Sequence, residues 1–166
     1  MEVRADGLLI RAPLRMSNAQ IEAFLQQHRR WIETHLRQAE EQAKIPPLTE
    51  QELRALAKQA HTVSPARVRY YAPLVGVRYG RVTIRSQRTR WGSCSAQGNL
   101  NFNCLLLLAP PEVLDSVVVH ELCHRKQPNH SPRFYAEVLR VFPDYRKWDG
   151  WLKKNGAALL RRLPQT

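Results

Sequence analysis

The run His120-Glu121-Leu122-Cys123-His124 constrains this chain more than any other feature. It is an H-E-x-x-H pattern and it follows the apolar run Val117-Val118-Val119. On an α-helix, residues four apart share a face, so both imidazoles point the same way. Two histidines one turn apart can hold two corners of a tetrahedral Zn2+ site. Glu121 is placed to act as general base on a water held there.

The surroundings predict a helix from about Pro111 to Lys126. Proline suits the first helical turn. Val113, Leu114, Val117, Val118 and Leu122 follow a three-and-four spacing that makes one apolar face. Glu112 and Asp115 complement the dipole near its start, and Arg125 and Lys126 do so near its end. Pro128 then stops it. Cys123 points about 100° away from the neighbouring histidine on such a helix and reads as packing.

A catalytic zinc needs a third protein ligand and one open position. His130, six residues after His124 and just past the helix end, is the first candidate. Glu137 is the second, on a further helix that Ser131-Pro132 begins as N-cap and first residue. The spacing H-E-x-x-H-x5-H is also that of the metzincins. However, Gln127 stands where that pattern has glycine, and the methionine turn expected downstream is absent, since the only methionines are Met1 and Met16.

Upstream, residues 1–16 read as a hairpin with Asp6-Gly7 as turn and Leu8 to Ile10 as strand. Ser17 is an N-cap, and one helix runs from Asn18 to about Lys44 with Ile21, Phe24, Leu25, Ile32 and Leu36 as its stripe. Ile45-Pro46-Pro47 breaks the chain. Thr49 and Glu52 form a capping box for the next helix. A separate helical turn starts at Ser64-Pro65, runs through Tyr71 and closes at Gly76. Strands follow from Val82 and Ile84 toward Gln87, over Arg90 to Ser95, and, after a Gln97-Gly98-Asn99 turn, over Leu100 to Leu107. The basic tail from Ala157 is expected to fray. Residues 1–45 thus form a hairpin and helix, and residues 46–166 a metal-helix domain with a small sheet, the two making one compact unit.

Composition narrows the classes. No run of eighteen apolar residues offers a membrane span. Met1 to Asp6 lack a signal peptide's apolar segment. Cys94, Cys104 and Cys123 show no C-x-x-C spacing, so free thiols in a reducing cytoplasm are expected, with no disulfide-linked partner. The formal charge is +12. Residues 46–90 hold nine basic side chains against Glu50 and Glu52. Such an excess favours polyanions, nucleic acid or nucleotides among them. No DNA-reading module accompanies it.

Arg90-Trp91-Gly92-Ser93-Cys94-Ser95, then Leu100-Asn101-Phe102-Asn103, then the zinc motif, then Asn129-His130-Ser131 with Phe134 resemble the YgjP-like metallopeptidase domain family. Pro143-Asp144-Tyr145 and Trp151-Leu152 fit it as well. The resemblance implies an α+β fold: a compact minimal zincin with a small, mainly antiparallel sheet packed on the H-E-x-x-H helix, preceded by the hairpin and helices. It implies His120, His124 and His130 as zinc ligands, Glu121 as base, and a protein or peptide substrate. It is distantly similar in site layout to the SprT-like proteases, which act on proteins attached to DNA.

Four further residues are candidates for substrate binding. The Arg88–Ser95 strand, with Trp91, can pair with an extended substrate by strand addition. Arg88 and Arg90 can bind a phosphate or a carbonyl. Tyr135 can donate to a developing oxyanion, although packing beside Phe134 is the simpler reading. Two other functions fit the same residues. One is metal-dependent hydrolysis of a nucleotide phosphoanhydride. The other is a nucleic-acid-binding module with structural zinc, which a closed four-ligand site would mark.

Overall fold

Pro46 and Pro47 divide the chain. The computed structural model describes residues 1–4 and 7–164, in two units, Met1–Pro46 and Pro47–Thr166.

In the first unit, β1 (Glu2–Arg4) pairs antiparallel with β2 (Gly7–Leu9), with Arg4 opposite Gly7. Of the turn expected at Asp6-Gly7, Gly7 opens β2 and Asp6 lies outside the described residues. Ser17 caps α1 (Asn18–Gln27) in a reciprocal box with Gln20. The single helix expected over residues 18–44 is two, because it breaks at His28 before α2 (Arg29–Ala43). The His28 backbone leaves helical geometry at φ −104°, ψ 11°. Its ring Nδ1 lies 2.8 Å from the Phe24 carbonyl oxygen, so the side chain competes for an acceptor the helix itself uses.

The second unit opens with α3 (Glu50–Val75), capped by Thr49 and Glu52 as its sequence predicts. Gly76 ends it in the left-handed region at φ 77°, ψ 43°, where only glycine sits without strain. The separate turn expected from Ser64-Pro65 is instead the second half of this helix, which runs through Pro65 and Pro73. Packing overrides the breakers here. Val68, Tyr71, Ala72 and Val75 are all buried, and together they offset the hydrogen bonds the prolines remove.

The sheet holds β3 (Val82–Arg85), β4 (Gly92–Cys94) and β5 (Leu100–Asn103) in the order β3-β5-β4. It is mixed rather than mainly antiparallel: β3 runs parallel to β5, and β4 antiparallel. The third strand is shorter than expected. Asn103 Oδ1 accepts from the Leu105 N–H and turns the apolar run Cys104–Leu108 into a 3-10 helix. That run can be buried in either form, so its composition alone does not separate strand from helix.

The α4 helix (Pro111–Cys123) lies at the centre of this unit. Every residue from Val113 to Val119 is buried, because α3, β4, α5 (Pro132–Val141) and α6 (Tyr145–Arg161) all pack on it. One apolar face was expected; the helix is enclosed nearly all round. Its one buried acid near the start, Asp115, accepts from Arg67 Nε and Nη2 at 2.6 and 2.7 Å and lies 3.2 Å from the Tyr71 hydroxyl. Phe102, Phe134, Val138 and Leu122 complete the core. The tail does not fray where expected: α6 continues to Arg161, and Leu163 is buried against Leu48 and Leu105. The architecture is α+β. No helix among the described residues is long and apolar enough to cross a membrane.

Candidate metal centre

The four-residue spacing on α4 stacks His120 and His124 on one face, with their Nε2 atoms 3.2 Å apart. After His124 the chain leaves the helix through Gln127 and Pro128, and it re-enters helix at Ser131, whose Oγ accepts from the Phe134 N–H. That short return brings His130 Nε2 to 3.0 Å from His120 Nε2. The donor atoms of the three histidines all lie within 4.8 Å of one another. Phe134 underlies them, its ring centroid 4.6 to 4.9 Å from each imidazole.

The partner of one ring places its proton, and that of a second allows the same tautomer. The Gln127 carbonyl can only accept, so His124 Nδ1 donates to it at 3.2 Å and Nε2 keeps a lone pair. His120 Nδ1 lies 2.8 Å from the Tyr145 hydroxyl. With its proton there, His120 Nε2 is likewise free to ligate. Burial, then the neighbouring rings of His124 and His130, push the His120 pKa down to about 4. Burial first, and His130 as well, lower that of His124, against the Gln127 hydrogen bond. Lone pairs facing one another at 3.0 and 3.2 Å repel unless a cation lies among them. The donor set therefore fits a divalent metal ion with an affinity for imidazole nitrogen.

Glu121 is 6 % exposed. Burial pushes its carboxyl up to about 7, and Arg90 pulls the other way. It borders a cleft of about 740 Å³ with His120, His124, His130 and the strand residues Gly92 to Ala96. The cleft follows β4, whose outer edge has no strand beside it among the described residues.

Glu137, the second candidate for third ligand, is held elsewhere. Lys126 Nζ and Arg140 Nε both pair with its carboxylate. Arg88 is also engaged away from the cleft, donating to the Leu163 and Pro164 carbonyls at 3.4 and 2.7 Å. Arg90 is exposed and acts on the site through its charge alone. Trp91 is half-buried against the core. Tyr135 is exposed, with its ring 6.2 Å from that of His130 and 5.4 Å from that of Phe134.

Sequence reasoning missed Tyr145, Gly92 and Asp149. Tyr145 lies 25 residues from the histidine it meets, and only the fold brings α6 across α4. Gly92 is part of the quoted R-W-G-S-C run, but its role depends on how close β4 comes to α4.

No curated protein matches the chain. Two crystal structures are similar to it in fold. The metallopeptidase zymogen of Pyrococcus abyssi abylysin is 24% identical with a TM-score of 0.50, and the match covers 55% of this chain and 94% of that one. The metallopeptidase zymogen of Methanocaldococcus jannaschii jannalysin is 18% identical with a TM-score of 0.50, over 55% and 95%. The sequence model of the YgjP-like metallopeptidase domain matches residues 1–55 and 48–155. The chain therefore belongs to the YgjP-like metallopeptidase domain family and is a metallopeptidase.

Proposed function

We propose that the protein is a zinc peptidase in which His120, His124 and His130 hold the ion and Glu121 is the general base. The observation that carries this reading is the convergence of three imidazole nitrogens beside a buried carboxylate on one open cleft. A tetrahedral zinc with nitrogen ligands at ~2.0–2.1 Å sets those nitrogens roughly 3.3 Å apart; the 3.0 and 3.2 Å separations here lie close to that. Among the described residues no fourth Cys, His, Asp or Glu joins the group. That favours an open, catalytic site over a closed, structural one.

When bound, the ion supplies Lewis acidity toward the scissile carbonyl and toward water. Glu121 takes the proton from the attacking water and passes it to the leaving amine. Gln127 holds the imidazole of His124 in the tautomer that ligates, and Tyr145 orients that of His120. The free edge of β4 accepts an extended peptide as an added strand, with main-chain hydrogen bonds fixing its register. Arg90, whose charge acts on Glu121, and Tyr135, whose ring lies 6.2 Å from that of His130, would stabilise charge on the substrate.

Elemental analysis with a peptide assay tests this. Wild-type protein should carry about one zinc per chain and cleave peptides, and Glu121→Gln should keep the zinc and lose turnover. Full activity in Glu121→Gln would sink the mechanism.

We also propose that the protein works in the cytoplasm and meets polyanions there. Cys94, Cys104 and Cys123 are free thiols, and eight of the nine basic residues between positions 46 and 90 are exposed. Nucleic acid, or protein bound to it, would be drawn by this charge. Binding should then weaken steeply with added salt.

A further inference from the structure

A second cavity opens behind Glu121. It measures about 190 Å³ and shares Gly92, His120 and Glu121 with the main cleft. At roughly 30 Å³ per water, it has room for roughly six waters, the scale of a large side chain. Trp91, Val117 and Leu152 wall it.

Trp91 is a fixed wall. α6 reaches it at Gly156, where a Cβ would come within 3.1 Å of indole Cζ2 and 3.3 Å of Nε1. A side chain there would press on the indole, so the glycine lets the helix and the ring meet closely.

The polar groups bordering the cavity besides Glu121 already have partners. Ser116 Oγ donates to the Val113 carbonyl at 2.8 Å. The Tyr145 hydroxyl meets His120 Nδ1. Asp149 pairs with Lys153 at 2.6 Å. Apart from the Glu121 carboxylate, which the reaction uses, a charged group entering here would find no unpaired counter-charge and would lose its hydration. An apolar group loses nothing by entering and meets aromatic and aliphatic surface.

We propose that this cavity sets cleavage specificity by taking a bulky apolar side chain from a residue next to the scissile bond. The inference rests on the peptidase reading, because the shared residues are those that would carry the reaction. Trp91 then acts through its ring as a specificity wall, in addition to lying on the strand that borders the cleft.

Zinc-loaded full-length protein incubated with a diverse peptide mixture, with products mapped by mass spectrometry, tests the proposal. One position flanking the cut should be enriched in leucine, phenylalanine or methionine. Alanine or a charged residue there should lower kcat/KM by about 10-fold or more, as apolar pockets discriminate by ~10–200-fold per methylene. Two conservative variants should move the preference in opposite directions: Val117→Ile narrows the cavity toward smaller side chains, and Leu152→Val widens it toward larger ones. Equal zinc content would show that both are folded. Cleavage without apolar preference, a preference for lysine or arginine directed by Asp149, or a preference that neither variant moves would overturn the pocket and leave the peptidase reading standing. Zinc-loaded wild type that cleaves no peptide would overturn both.

Discussion

Gly92 and Glu121 approach so closely that a side chain at position 92 fits only if the Glu121 side chain moves. A Cβ there would lie 2.6 Å from Glu121 Oε1 and 2.8 Å from its Cγ. The glycine of β4 thus determines where the carboxylate of α4 rests. Gly92→Ala should push the carboxylate out of place while leaving the three histidines untouched. We expect zinc content near wild type and a fall in kcat of about 10²-fold, the scale on which a 1 Å misplacement acts. Metal analysis beside steady-state kinetics checks this; unchanged kcat would show that Glu121 has room to relax.

Tyr145 supports His120 from behind. Its hydroxyl lies 2.8 Å from Nδ1 and orients the ring, and burial, then Asp149, keep the phenol protonated by raising its pKa. Tyr145→Phe preserves the buried ring and removes the oxygen. Zinc affinity should drop about 10–100-fold, the usual loss when such a partner is removed. A competitive titration with a chromophoric chelator reads it directly.

The third ligand separates into two variants. His130→Ala should lose stoichiometric zinc, because it removes the nitrogen 3.0 Å from His120 Nε2. Glu137→Ala should retain it, because that carboxylate is engaged by Lys126 and Arg140. Zinc retained in the first and lost in the second would reverse the assignment.

Periodicity and caps made the helices legible. Ser17, Thr49 and Ser131 act where their residue types predict, since capping is decided within four residues of chain. The histidine pair was equally legible, because a one-turn spacing fixes their common face. What failed depends on distant partners. Ser64-Pro65 reads as a start only until α4 is there for Val68, Tyr71 and Val75 to pack on. The Leu105–Leu108 run has no period, and it was the Asn103 side chain that bent it into a 3-10 turn. Tyr145 and Asp149 belong to the site only because α6 crosses α4.

Asp115, expected to complement the α4 dipole, is also a buried partner of Arg67. Arg67 holds both its oxygens, and the pairing raises the pKa of the guanidinium. Arg67→Met would leave a buried carboxylate beside Tyr71 alone. A fully buried pair broken this way costs about 3–5 kcal/mol. Arg67 is 37% exposed, so water already screens part of the interaction and roughly 2–3 kcal/mol is expected. Urea unfolding of the two proteins measures the difference; a change in midpoint with the same m-value would locate it in the native state.

Glu137 gives the fold a specific sensitivity to acid. Hydrogen bonds from Arg140 and then Lys126 lower its pKa from an ordinary 4.5 to about 2. Above pH 4.5 the carboxylate is ionised in both folded and unfolded chains, and the pairing contributes in full. As pH falls from 4.5 toward 2 the unfolded chain binds the proton first, so this contribution drains away. Glu137→Gln removes the linkage. The variant should be less stable than wild type at pH 7, and the gap between their thermal midpoints should close across that window. A gap that stays constant down to pH 2 would mean that the difference does not arise from ionisation of Glu137, and would overturn the linkage.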